Sequence, residues 1–144
     1  MDLSTKHSDA RIEAARVPAL TASLALLTAD PNPAQIEIYG TARPTPGDPP
    51  GGAPLVIIQM ISPAGVVDDQ DIEIDLVVPI EGQVTGADPD DGTVAVWARV
   101  VDGAGDWWAD LSVSDEAGAG EIKLMQTLLF NGAWARIISA VVGG

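Results

Sequence analysis

Val96–Leu111 reads VWARVVDGAGDWWADL, and the way this stretch folds back on itself decides the class of the chain. Asp102-Gly103-Ala104-Gly105 is turn-forming, because Asp bonds its own backbone and Gly accepts turn dihedrals. Closing the turn with Val101 facing Asp106 pairs Val100 with Trp107, Ala98 with Ala109 and Val96 with Leu111, all apolar. The opposite face then sets Arg99 against Trp108 and Trp97 against Asp110. Strand side chains alternate with period two, so a one-residue slip would mix the two sets. The stretch is expected to be an antiparallel hairpin with Trp97, Arg99 and Trp108 on its outer face.

A second hairpin is expected around Asn131-Gly132, a strong two-residue turn signal. It would pair Phe130 with Ala133, Leu128 with Ala135, Gln126 with Ile137 and Ile122 with Val141. Its other face would pair Leu129 with Trp134, Thr127 with Arg136 and Met125 with Ile138. Both faces are rich in apolar residues, so both need cover.

Upstream, Gln35–Gly40 and Asp71–Val78 alternate as strands, and Leu55–Ile61 is a short apolar run suited to a buried one. Five prolines and three glycines make Arg43–Pro54 a loop. Ser62–Gly65 reads as a turn and Gly82–Gly92 as an acidic loop. The front of the chain is helical: Ser4 or Thr5 can cap it, and Ile12, Ala15, Ala19, Leu20, Leu24 and Leu27 recur at helical spacing. Pro18 predicts a kink, or a second helix beginning there. The expected fold is mainly β, an antiparallel sandwich or barrel of about seven strands. Residues 1–33 form an N-terminal helical arm kinked at Pro18, and residues 34–144 an acidic β-domain.

The chain has 144 residues, 47% hydrophobic and 19% charged, a composition that folds rather than remaining disordered. It has no cysteine, which removes disulfides, thiolate metal sites and cysteine nucleophiles. No apolar run reaches the roughly 18 residues of a membrane span. The Ala19–Ala29 stretch has no basic region directly ahead of it, so no secretory signal is expected. The formal charge is −14. Residues 1–33 hold four acids and three bases, leaving 17 acids and four bases for the remainder. Such a surface repels phosphate backbones, so nucleic acid is not an expected partner.

The one histidine, His7, lies near the start of the helix, where solvation is the ordinary role. No G-x-S-x-G elbow and no phosphate-binding glycine loop occurs. Asp88, Asp90 and Asp91 resemble a calcium loop, but Gly92 stands at position 5 rather than 6. Asp68, Asp69 and Asp71 form a second acidic cluster. Both read as solvated turns, and neither catalytic residue, cofactor nor metal is expected. The tryptophans of the hairpin face suit either a sugar platform or cover by the front helix, the other sheet or a neighbouring subunit.

The order of features resembles a family of small tailed-phage and prophage virion proteins. The resemblance is carried by Leu3-Ser4-Thr5 followed by an Ala-rich helix with Arg11 and Arg16, and by Ile36–Gly40 running into Thr41-Ala42-Arg43-Pro44. Gly92-Thr93-Val94-Ala95-Val96-Trp97-Ala98-Arg99 turning through Asp102-Gly103, and a closing hairpin, complete it. Trp107-Trp108 and the longer acidic segment Val67–Asp91 depart from the pattern. The resemblance implies a capsid decoration or minor capsid protein, made in the bacterial cytoplasm and seated on the virion exterior. Its partners would be the major capsid protein and further copies of itself. Interface residues are expected at Ile12, Leu20, Leu24, Trp97, Arg99, Trp108 and Trp134. The alternatives are a tail or baseplate component and a carbohydrate-binding adhesion module.

Overall fold

A computed structural model describes residues 1–143; Gly144, expected to end the β-domain, lies outside the described residues. The chain is mainly β, with eleven strands and one N-terminal helix among the described residues. α1 spans Thr5–Thr28 as a single element with Pro18 inside it, so no second helix begins at Pro18. Ser4 caps it: its hydroxyl accepts from the His7 amide at 3.3 Å, satisfying one of the donors a helix start leaves over. Leu20 and Leu27 are buried against β3 (Gly65–Asp68) and β4 (Glu73–Leu76).

The main sheet runs β2 (Val56–Gln59), β1 (Gln35–Tyr39), β7 (Trp97–Val101), β8 (Trp107–Asp115), β9 (Ile122–Leu124), β11 (Trp134–Gly143), β4, β3. β5 (Ile80–Gln83) also pairs with β11. The sheet curls until β5 meets β2, where the amides of Thr85 and Gly86 both donate to the Leu55 carbonyl. Ile36, Ile58, Ile74, Val100, Ile122, Leu124 and Ile137 fill the interior with essentially no exposure. A separate two-stranded ribbon joins β6 (Thr93–Val94) to β10 (Leu128–Leu129).

Three pairings differ from expectation. In the β7–β8 hairpin, Ala98 faces Leu111, Val100 faces Ala109 and Arg99 faces Asp110, while Val101 faces Trp107, leaving Trp108 as an extra, bulged residue. The shift is two residues, so Ala98, Val100, Ala109 and Leu111 still share a face. Val96 lies outside the strand and is exposed. Second, the Asn131-Gly132 turn forms, with the Ala133 amide donating to the Phe130 carbonyl, but its flanks part. Gly132 has φ 86° whereas Asn131 is not at positive φ, so this is not the two-residue turn that holds strands in a tight hairpin. Trp134–Ile137 pairs with β5 on one edge and Leu128–Leu129 with β6, while the outer part of the expected ribbon forms with a shifted register, β9 running antiparallel to β11 with Ile122 opposite Ala140 and Leu124 opposite Ile137.

Third, β8 and β9 are parallel, with Val113 opposite Ile122, where all-antiparallel pairing was expected. Parallel neighbours usually need a connection of a dozen residues or more. Here 116–121 suffices because serines pin the loop: Ser112 exchanges bonds with Glu121, and the Ser114 hydroxyl accepts from the Gly120 amide. A side chain at 120 would lie 2.6 Å from the Ser114 nitrogen, so the close approach needs glycine.

Candidate functional site

The bulge at Trp108 sorts the two neighbouring tryptophans to different environments. Trp107 turns toward Arg99, its ring centroid 5.8 Å from the guanidinium carbon, and its indole nitrogen donates to Asp110 Oδ1 at 3.2 Å. Trp108 turns toward α1 and donates to the Ser23 carbonyl at 2.9 Å. The expected outer face of Trp97, Arg99 and Trp108 is therefore not assembled.

Trp97 is buried and stacks on Tyr39 with ring centroids 4.6 Å apart. Burial, followed by the bond it donates to Glu37 Oε2, pushes the Tyr39 hydroxyl well above its ordinary pKa. Arg99 lies over the Trp97 ring, its guanidinium carbon 5.4 Å from the centroid. Its Nε and Nη2 donate to Asp110 Oδ1 and Oδ2 at 2.7 and 2.9 Å, and Nη2 also donates to the Asp48 carbonyl. The Pro/Gly loop covers the group: Arg43 donates to the Asp110 carbonyl, and Gly47 sits against the Trp107 ring. Trp97 and Arg99, expected at an interface, are enclosed by their own chain because this loop folds onto the hairpin.

The acidic loops are occupied by turn geometry. Asp88 Oδ1 accepts from the amides of Asp90 and Asp91, bonds that hold its carboxyl below the ordinary range. Asp68 Oδ1 accepts in the same way from Gln70 and Asp71. Asp68, Glu73 and Asp75 place one carboxylate oxygen each within 4.8 Å of the others. Partial burial, then repulsion from Asp75, Asp71 and Asp68, raises the Glu73 carboxyl.

The surface the fold leaves uncovered lies at the ribbon and the Asn131-Gly132 turn. Val94, Met125, Leu128, Phe130 and Trp134 are all exposed, Trp134 by 62%. Met125, Leu128, Phe130 and Trp134 line a shallow concavity of about 200 Å³ together with Arg136. The acidic loop borders it: Asn131 Nδ2 and Oδ1 bond the carbonyl and amide of Ala87, and Gly92 lies against the Phe130 ring. A larger concavity of about 440 Å³ beside Asp102–Gly105 is lined mostly by polar loop residues. Of the residues expected at an interface, Trp134 is exposed here and Ile12 on the arm. Leu20 is buried against its own sheet and Leu24 packs partly against the same core, so neither is available. Phe130, Leu128 and Met125 had only a general signal, the apolar character of both faces of the second ribbon.

No protein-family model, curated protein or solved structure matches the chain. Among the described residues, no helix is long and apolar enough to cross a membrane.

Proposed function

We propose that the chain is a structural subunit of a tailed-bacteriophage virion, a capsid decoration protein that binds the outer surface of the major capsid lattice. One observation carries the association reading: Trp134, Phe130, Leu128, Met125 and Val94 form a contiguous exposed apolar surface on an otherwise acidic molecule. Patches of this kind mark interaction surfaces, and tryptophan at the centre of an interface carries much of its energy. The short motifs of the helix, the first strand and the Trp97 strand supply the phage component of the reading. A charge of −14 per copy favours the exterior, since packed DNA inside would repel it.

Particles stripped of this protein and incubated with purified chain should regain it at a copy number tied to the lattice, and Trp134→Ser should abolish the rebinding. Six to a few dozen copies per particle would instead place it in the tail or baseplate. Failure to bind any particle would overturn the reading. The adhesion alternative loses support because Trp97 and Arg99 are enclosed by the Pro/Gly loop.

A further inference from the structure

The side chain of the Asn131-Gly132 turn fastens the acidic loop to it. Asn131 Nδ2 donates to the Ala87 carbonyl at 2.9 Å, and Oδ1 accepts from the Ala87 amide at 2.8 Å. One residue on, the Gly132 amide donates to the Val84 carbonyl at 2.9 Å. Val84 and Ala87 are both buried, so the core fixes residues 84–87 while they hold the turn. We propose that Asn131 is a deamidation site which residues 84–87 keep closed, and whose reaction loosens the acidic loop beside the exposed Phe130 and Trp134.

Asparagine before glycine is prone to this reaction because a residue without a β-carbon leaves its own nitrogen unhindered. The Gly132 nitrogen gives up its proton and bonds to Asn131 Cγ. The Cγ–Nδ2 bond breaks, and Nδ2 leaves as ammonia with a proton. Water then adds to either carbonyl of the cyclic imide, leaving an aspartyl or isoaspartyl residue at 131. No oxidant or reductant is needed.

Both groups that must leave are engaged in this fold. The departing Nδ2 is bonded to the Ala87 carbonyl, and the departing Gly132 proton to the Val84 carbonyl. Cyclisation therefore waits for residues 84–87 to lift from the turn, a local opening with its own free energy. The product cannot restore the clamp. A carboxylate has no hydrogen to donate, so it sets an anionic oxygen against the Ala87 carbonyl. It also adds negative charge beside a loop that already carries Asp88, Asp90 and Asp91. The reaction is independent of which partner the exposed surface takes.

The chain has two asparagines, Asn32 and Asn131, and the nitrogen of Pro33 has no proton to lose. A rise in intact mass by the exchange of amide for acid therefore reports on Asn131. Full-length chain is incubated at mildly alkaline pH, in buffer and in concentrated urea, and its mass followed. The conversion should run in urea and be at least about 10-fold slower in buffer. Ala87→Pro removes the amide that Asn131 accepts from but keeps Asn131-Gly132. It should speed conversion in buffer at least about 10-fold and leave the rate in urea unchanged. Thr93→Val, which takes away the hydroxyl that accepts from the Asp88 amide, is the milder variant should proline at 87 spoil the fold by circular dichroism. It should give about 3-fold. In Asn131→Asp, which carries the aspartyl product, hydrogen exchange at the Ala87 amide should quicken at least about 10-fold. The inference is overturned by equal rates in buffer and urea, or by a mass that stays constant in both. Folded loop variants that convert no faster than the natural chain, or unchanged Ala87 exchange in Asn131→Asp, overturn it equally.

Discussion

Removing Asp110 should be among the most damaging single changes available to this protein. Its side chain is 2% exposed and that of Arg99 9%, so neither charge has water to fall back on. Asp→Ala at 110 deletes both charge-assisted bonds from Arg99 and the acceptor of the Trp107 indole. It leaves a buried guanidinium with the Asp48 carbonyl as its remaining hydrogen-bond acceptor. Breaking a buried pair from one side costs about 3–5 kcal/mol. For a chain of this length that is roughly 10–15 °C of melting temperature. The double variant Arg99→Met with Asp110→Leu removes the stranded charge along with its partner. It still loses the Asp48 and Trp107 bonds, about 1 kcal/mol each, so it should unfold within about 2 kcal/mol of the natural chain. Urea unfolding of Arg99→Met, Asp110→Leu and the double variant gives the coupling directly. Single-variant losses below about 1 kcal/mol, or a double variant equal to the sum of the singles, would refute the view that the pair holds the loop to the sheet through desolvated charge.

Adjacent leucines on α1 should behave oppositely. Leu27→Ala empties a site that is 1% exposed and should cost about 2–5 kcal/mol, with helical signal lost ahead of the β transition on heating. Leu26→Ala, at an exposed position, should stay within about 0.5 kcal/mol of the natural chain in the dilute monomer. Glu73→Gln tests the acidic group on β4. A carboxyl raised above 4.5 in the fold binds its proton more tightly folded than unfolded. The stability it lends is full below pH 4.5 and is lost as pH rises through the folded value. The glutamine variant should therefore melt above the natural chain at pH 7, and melting curves at pH 3 should show the gap closed; an equal gap at both pH values would count against the repulsion. Gly120→Val should lower the melting temperature and disturb the β8–β9 amide resonances, since its side chain has to displace the Ser114 backbone; an unshifted spectrum would disprove the close approach.

The sequence by itself determined the class of fold and much of which side chains face inward. Alternation in Gln35–Tyr39 and Glu73–Leu76, and the helical spacing of Leu20, Leu24 and Leu27, are local properties that need no knowledge of partners. The grouping of Ala98, Val100, Ala109 and Leu111 survived a wrong register because a two-residue shift preserves face. β5 escaped notice for an equally local reason. Its inward positions are Ile80 and Gly82, with buried Val84 just past its end, and the glycine between them erases the apolar alternation.

Only the tertiary structure decided which segments pair and what stays uncovered. Trp134–Ile137 gains β5, some fifty residues away, on the edge opposite β9, and Arg99 finds Asp110 because Trp108 is bulged out. Those outcomes depend on which distant segments reach a strand's two edges, β5 on one side of β11 and β9 on the other, and on which side chains share the buried space. Periodicity records a strand's two faces but carries nothing about its edges. For the same reason, the cover that the Pro/Gly loop gives Trp97 and Arg99 and the exposure of Phe130 became visible only once the chain was folded.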